Sequence, residues 1–224
     1  MKKYAFIKLV EQMDDKVKNN KALIFDFDGT LADTLGFTVN SAIEINRNLN
    51  LKHNEKVNFE KFRTMDSEEF FKSLKISNFD LLFFLFKYQR KLTKEINNTK
   101  TFDGLDSVLK ELHDRGVIMG IATSNSKINV KKFLRNNDLD YFDFIYSSLN
   151  YFNKSKIIEK AVKKSGKSKE NSIYVGDEVR DIKAAKEAGV KVASVTWGYN
   201  LEPVLSSFHP DYIINRPEDL LKLI

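Results

Sequence analysis

From Leu105 to the C-terminus, short apolar runs of strand length alternate with stretches of helical period, and few folds accommodate that alternation. Runs at 117–122, 144–147, 172–176, 191–196 and 212–214 have the length and β-branched content of strands. Between them, Leu105, Val108, Leu109 and Leu112 mark one helix, which stops at Arg115-Gly116, a basic residue followed by glycine. Further helices are predicted at 129–136, 156–165, 179–188 (closed by Gly189) and 217–223. Strands that alternate with helices require right-handed crossovers, so the expectation is an α/β fold with a Rossmann-like parallel sheet covered on both faces.

One more strand lies upstream. Ala22, Leu23, Ile24 and Phe25 form an apolar run that breaks into Asp26-Phe27-Asp28-Gly29-Thr30. Ligands of α/β proteins sit at the carboxyl ends of strands, so two carboxylates here are placed for chemistry. Gly29 permits a sharp turn and a close approach to a ligand. Asp-Gly is also an ordinary turn signal, and the stretch taken alone fits a turn as well.

Between Thr34 and Lys100 the pattern is helical. Val39, Ala42, Ile43, Ile45 and Leu49 mark one helix, and Phe59, Phe62, Phe70, Phe71 and Leu74 shorter ones. Residues 79–92, with six large apolar side chains in succession at 81–86, predict a helix buried on most of its faces. The polar stretch 97–104 ends in Asp-Gly and has the composition of a return linker. Residues 35–99 are therefore expected to form an all-helical unit inserted into a core made of 21–34 and 100–224. Ahead of it, Phe6, Leu9, Val10, Met13 and Val17 recur at helical spacing. Residues 1–20 are expected to form an amphipathic helix that packs on the core or on a second subunit, with membrane-surface binding as the alternative.

Composition narrows the chemistry. The chain has no cysteine, which removes disulfides, thiol catalysis and cysteine-based zinc sites. His53, His113 and His209 stand apart without metal-ligand spacing. The formal net charge is +6, but the lysines are dispersed, so no specific nucleic-acid partner is expected. A positive field would favour encounter with an anionic substrate. No apolar stretch has the length of a membrane span, and Lys8 and Glu11 interrupt any signal-like apolar region. A cytoplasmic protein with no membrane partner is expected.

Three later stretches join the first two acids. Thr123-Ser124-Asn125-Ser126 offers hydroxyls and backbone N–H groups at a strand-to-helix junction, which suits an anion or a plain helix cap. Lys154 and Lys156 open a helix, where a cation opposes the macrodipole and invites a functional explanation. Val175-Gly176-Asp177-Glu178-Val179-Arg180-Asp181 sets two aspartates four apart at another junction. Asp181 alone could be a dipole-favoured acid. Asp177 at the strand end is harder to explain without a cation.

Taken in order, these stretches resemble the motifs of the haloacid dehalogenase superfamily, in its phosphoglycolate-phosphatase-like branch. The first motif is matched by Asp26, Asp28, Gly29 and Thr30, the second by Thr123, and the fourth by Asp177 and Asp181. The third motif is a lysine, often followed by proline. Lys154 is followed by Ser155, and Lys156 stands as the alternative. The resemblance implies that Asp26 is the nucleophile and forms an aspartyl-phosphate, and that Asp28 is the general acid and base. It implies Mg²⁺ held by Asp26, the Asp28 carbonyl and Asp177, with Asp181 ordering that shell. Thr123 would bind a phosphoryl oxygen, Ser124 and Asn125 would add contacts, and Lys154 would offset charge. The insertion would be a cap, with Arg63 facing the site as a bidentate donor to a carboxylate or second phosphate, or else a surface salt-bridge residue.

The activity implied by this resemblance is that of a Mg²⁺-dependent phosphatase acting on a small phosphorylated metabolite, as a monomer or homodimer. A phosphomutase of the same family would keep every core residue. A non-catalytic ligand- or partner-binding module would not need Asp28, and dehalogenases lack that acid. The extension at 1–20 departs from the usual family start, and the resemblance carries nothing about its role.

Overall fold

The structure, a computed structural model, describes residues 20–48, 63–66, 69, 78–148 and 153–224. Six strands form one fully parallel sheet: β1 (Ala22–Phe25), β2 (Ile118–Thr123), β3 (Phe144–Ser147), β4 (Ser172–Gly176), β5 (Lys191–Val195) and β6 (Tyr212–Ile214). Their order is β3-β2-β1-β4-β5-β6. The chain thus runs outward from β1 on one side and returns to build the other side from β4. The reversal falls between β1 and β4, and such a switch point opens a crevice beyond the strand ends.

The helices between the strands are α3 (Leu105–Asp114), α4 (Lys127–Asn136), α5 (Lys154–Ser165) and α6 (Val179–Ala188). Among the described residues, α1 (Leu35–Asn48) and α2 (Asn78–Glu95) lie earlier, and α7 (Glu202–Ser207) follows β5. The helix expected at 217–223 is a 3₁₀ helix, Pro217–Leu223.

Both faces of the sheet are covered. Leu23 and Phe25 join Leu109, Leu112, Phe133 and Leu223 on one face, and Ile24 joins Tyr174, Ile158, Ile182 and Ala185 on the other. β1 is buried at all four positions because it is central and has a layer above and below. Each such aliphatic or aromatic side chain contributes roughly 1.5–3 kcal/mol by leaving water.

The predicted elements correspond closely to those observed, with small shifts. β2 begins at Ile118 and ends at Thr123, α4 begins at Lys127, and α5 begins at Lys154. Ser126 caps α4 by accepting from the Asn129 N–H at 3.2 Å, which moves the helix start forward. α7 was not anticipated, since six residues with Pro203 near the start carry too little periodicity. One expectation is corrected. The helix at 79–92 was expected to be buried on most of its faces, but of its described side chains Leu82, Phe83 and Phe86 are 58%, 38% and 58% exposed. Lys87 and Arg90 lie over the Phe83 and Phe86 rings, while Leu92 and Ile96 at the other end are buried in the core.

The segments on either side of residues 35–99 touch. The Asp33 N–H donates to the Lys100 carbonyl at 2.9 Å, and the Thr101 hydroxyl to the Leu31 carbonyl at 2.8 Å. The helix expected at 1–20, and those expected around Phe59, Phe62, Phe70, Phe71 and Leu74, lie outside the described residues. Among the described residues, no helix is long and apolar enough to cross a membrane.

Candidate active site

The carboxyl ends of β1 and β4 are adjacent, since Phe25 is in register with Val175 and the Asp26 N–H donates to the Val175 carbonyl at 2.8 Å. The residue after each strand is an aspartate, Asp26 and Asp177, so the parallel register brings them to one end of the sheet. Asp181 lies in the first turn of α6. Its Oδ2 accepts from the Asp177 N–H and the Glu178 N–H, both at 3.0 Å, which satisfies the start of that helix. Carboxylate oxygens of Asp26, Asp177 and Asp181 all lie within 4.8 Å of one another, and all three residues are buried.

Lys154, in the first turn of α5, meets this cluster. Its Nζ stands 2.6 Å from Asp26 Oδ2 and forms an ion pair with Asp181. Lys156, two residues on, is exposed. Lys154 therefore pairs with two of the three buried carboxylates, and the charges of Arg180 and Glu178 act on the same cluster. Burial pushes the Asp26 carboxyl up to about 7, with Lys154 working against the rise and Asp181 adding to it. Burial, with the nearby carboxylates of Asp181, Glu178 and Asp26, holds Asp177 well above the usual range. For Lys154, burial opposes the charge, but Asp181 and Asp26 outweigh it and hold the ammonium above the ordinary lysine value.

Asp28 is partly buried, and its Oδ2 accepts from Asn125 Nδ2 at 2.9 Å. Burial raises its carboxyl to about 6 against hydrogen bonds from Asn125 and Thr34 that favour the charged form. Asn125 itself is held from several sides. Its Oδ1 accepts from the Ser126 N–H at 2.7 Å and from Asn129 Nδ2 at 3.1 Å, and its carbonyl accepts from the Ser147 hydroxyl at 2.5 Å. The Thr123 oxygen accepts from the Asn125 N–H at 2.9 Å, an arrangement that leaves the threonine hydrogen for donation. Ser124 is partly buried at the same turn.

Thr30 reaches across to the acid cluster. Its hydroxyl donates to Asp177 Oδ1 at 2.6 Å. Gly29 has φ 76°, and a Cβ there would run into the Asp177 carboxylate; a Cβ at Gly198 would do the same. Asp177 is thus packed between two glycines, and Gly176 similarly leaves room for Asp181.

Arg63 is half-buried and lies outside the carboxylate cluster's hydrogen bonds. Its Nε donates to the Tyr199 carbonyl at 3.1 Å, and its own carbonyl accepts from the Leu201 N–H at 3.0 Å. Among the described residues, these contacts are to backbone. Residues 197–201 were missed at the level of sequence. Tyr199 N–H donates to Asp177 Oδ2 at 2.8 Å, and Trp197 Nε1 to the Thr30 carbonyl at 3.2 Å. Their position just past a strand end, with a glycine among them, was the available signal.

A model of the family described as haloacid dehalogenase-like hydrolase matches residues 23–195, a span that holds every one of these acids and Lys154. The chain belongs to that family. Among its relatives, a phosphoglycolate phosphatase of Synechococcus elongatus is 29% identical over 205 residues, covering 91% of this chain and 97% of the relative. A pyrophosphatase PpaX of Oceanobacillus iheyensis is 26% identical, covering 91% and 96%. A haloacid dehalogenase-like family protein of Streptococcus pneumoniae shares the fold with a TM-score of 0.75 at 24% identity, covering 92% and 98%. The family's parallel sheet is accordingly the architecture of this chain, and the acids at its switch point belong to a hydrolase.

Proposed function

We propose that this hydrolase is a Mg²⁺-dependent phosphatase of small phosphomonoesters that works through an aspartyl-phosphate on Asp26. The observation that carries the reading is the buried cluster of Asp26, Asp177 and Asp181 around Lys154 at the reversal of the sheet. A relative named phosphoglycolate phosphatase, matched over nearly its whole length, supports the substrate class.

The donor set suits a hard divalent cation. Lys154 pairs with two of the three buried carboxylates, and burial, with the neighbouring acids adding to it, pushes Asp26 and Asp177 toward protonation, a cost that a cation would relieve. Asp26, Asp177 and the Asp28 carbonyl are the groups we assign to hold it. Asp181 is assigned to order that shell, because its oxygens are committed to two backbone N–H groups and to Lys154. When bound, Mg²⁺ would supply positive charge against the phosphoryl oxygens.

The chain's own groups do the rest. Asp26 attacks phosphorus, and the ester oxygen leaves as Asp28 gives it a proton. Asp28, now ionised, takes a proton from water as that water attacks the phosphoryl group and frees Asp26. Lys154 offsets charge on the transferring oxygens, and the Thr123 hydroxyl donates to one of them, with Ser124 and Asn125 adding contacts. A carboxyl held at about 6 can serve as acid and then base near neutral pH. The insertion between Thr34 and Lys100 is assigned as a cap that excludes water during transfer, and Arg63 as a residue of substrate choice within it. A small phosphorylated metabolite in the cytoplasm, met by a monomer or homodimer, completes the reading.

Pyrophosphate is the second substrate to consider, because a relative of matching length is named a pyrophosphatase. A panel of small phosphate esters and pyrophosphate, with Mg²⁺ and with chelator, tests both. Phosphate release from a monoester that requires Mg²⁺ is expected. Full activity in excess chelator would overturn the mechanism, and product isomers without phosphate release from a hexose phosphate would mark a mutase.

A further inference from the structure

Residues 197–201 leave the carboxyl end of β5 and are hydrogen-bonded on two sides at once. Toward the core, the Tyr199 N–H donates to Asp177 Oδ2 at 2.8 Å and the Asn200 N–H to the Asp177 carbonyl at 3.3 Å. Asn200 Oδ1 also accepts from the Val179 N–H at 2.9 Å. Toward the helical insertion, Arg63 Nε reaches the Tyr199 carbonyl at 3.1 Å, and Asn200 Nδ2 reaches the Met65 carbonyl at 3.0 Å. This short segment is a bridge between the insertion and an acid of the site.

Tyr199 spans the bridge by itself. Its phenol oxygen lies 2.8 Å from the Thr34 hydroxyl and 2.8 Å from the Thr38 hydroxyl, and Thr38 lies 2.8 Å from the Tyr88 phenol. Thr34 directly precedes α1, Thr38 lies on α1 and Tyr88 on α2, so one chain of hydroxyls gathers both helices. Burial holds both phenols well above the usual tyrosine range, so each keeps its hydrogen to share. The ring between the phenol and the backbone is rigid, with only two side-chain torsions. A displacement of α1 and α2 therefore pulls on the same residue whose N–H fixes Asp177.

We propose that Tyr199 is a positioning residue, tying the seating of the helical insertion to the placement of the Asp177 carboxylate and so to the cation affinity of the site. The proposal rests on the reading of Asp177 as a Mg²⁺ ligand. It assigns the phenol no contact with substrate. Removing the hydroxyl keeps the ring, the N–H and the backbone links to Arg63 and Met65, but it cuts the ties from Tyr199 to Thr34 and Thr38 and so loosens the seating of α1 and α2. The site then binds Mg²⁺ less tightly, and a substrate that needs the insertion seated has a higher KM.

Trp197, the sole tryptophan of the chain, is a built-in reporter. Its indole N–H is bonded to the Thr30 carbonyl, and the Thr30 hydroxyl to Asp177. The experiment titrates Mg²⁺ into wild type, Tyr199→Phe, Thr38→Val and the double variant, following Trp197 fluorescence and the Mg²⁺-dependent rise in Tm. Both single variants are expected to need about tenfold more Mg²⁺ for half-saturation, the lower end of what outer partners of metal ligands command. The double variant should be no worse than either, because both cuts sever one chain. Variants that lower the metal-free Tm but saturate at the wild-type concentration would overturn the proposal and leave Tyr199 as packing. A wild type that answers to Mg²⁺ in neither readout would overturn the metal reading, and the proposal with it.

Discussion

Lys154 Nζ sits 2.6 Å from Asp26 Oδ2, although 128 residues separate the two along the chain. Both side chains are almost fully buried, and the same ammonium pairs with Asp181. A buried ion pair of this kind stabilises little against an apolar replacement, but breaking one side of it leaves charge stranded. Its presence at a strand end is therefore better explained by chemistry than by stability.

Lys154→Ala is expected to lower kcat by about 10²- to 10³-fold, the scale seen when one preorganised charge-stabilising group is lost. Exposed Lys156→Ala should leave kcat and KM within twofold of wild type, roughly the scatter of neutral surface changes. Steady-state kinetics on one aryl phosphate decides between the two lysines. Equal losses would deny Lys154 its role.

Asp26 and Asp28 differ in what they touch, and their variants should differ in kind. Asp26→Asn is expected to give neither phosphoenzyme nor turnover. Asp28→Asn keeps the nucleophile and Lys154, so it should form phosphoenzyme slowly and hydrolyse it poorly. Rapid-quench trapping of acid-stable phosphate on the protein reads both steps. Wild-type turnover in Asp28→Asn would reduce Asp28 to a turn residue.

Gly29 and Gly198 leave the space that Asp177 fills. Gly29→Ala meets two penalties, a left-handed backbone that costs about 1–2 kcal/mol and a collision with the carboxylate. Gly198→Ala meets only the collision. Both should raise the Mg²⁺ concentration needed for half-maximal activity, and Gly29→Ala should also lower the Tm further. Isothermal metal titration with thermal unfolding on each variant separates the two effects.

The raised carboxyls make the metal-free protein sensitive to alkali. Asp26 at about 7 and Asp28 at about 6 hold protons in the folded chain that the unfolded chain releases near the ordinary aspartate value of 3.8. Their contribution to stability is complete below about pH 4 and is lost as pH rises through about 6 to 7. Thermal unfolding in chelator is expected to show the Tm falling between pH 5 and pH 8 and added Mg²⁺ restoring more at pH 8. A Mg²⁺ increment equal at both values would contradict the buried, protonated acids.

Arg63 holds the Tyr199 carbonyl from the insertion, and its loss should act on substrate choice. Arg63→Ala is expected to raise KM several-fold for a carboxylate-bearing phosphate ester, while kcat for a small aryl phosphate stays near wild type. Unchanged kinetics across a panel would leave Arg63 with its backbone contacts alone.

The sequence by itself determined the fold class, because strand-length apolar runs alternating with helical periods can bury both faces of a sheet in only one way. It also marked where chemistry would fall, since carboxylates directly after Phe25 and Gly176 must lie at strand ends. Exposure on the helix at 79–92 was misjudged for the same local reason: a run of apolar residues says nothing of what stands opposite. Tertiary structure decided the rest. The parallel register of β1 and β4 set Asp26 beside Asp177, and the first turn of α5 turned Lys154 inward and Lys156 outward. Thr30 and Tyr199 became partners of Asp177 across 147 and 22 residues. No local pattern encodes such pairs, because a hydrogen bond between distant residues is fixed by how the strands and helices pack, and periodicity reports only which face of each element is buried.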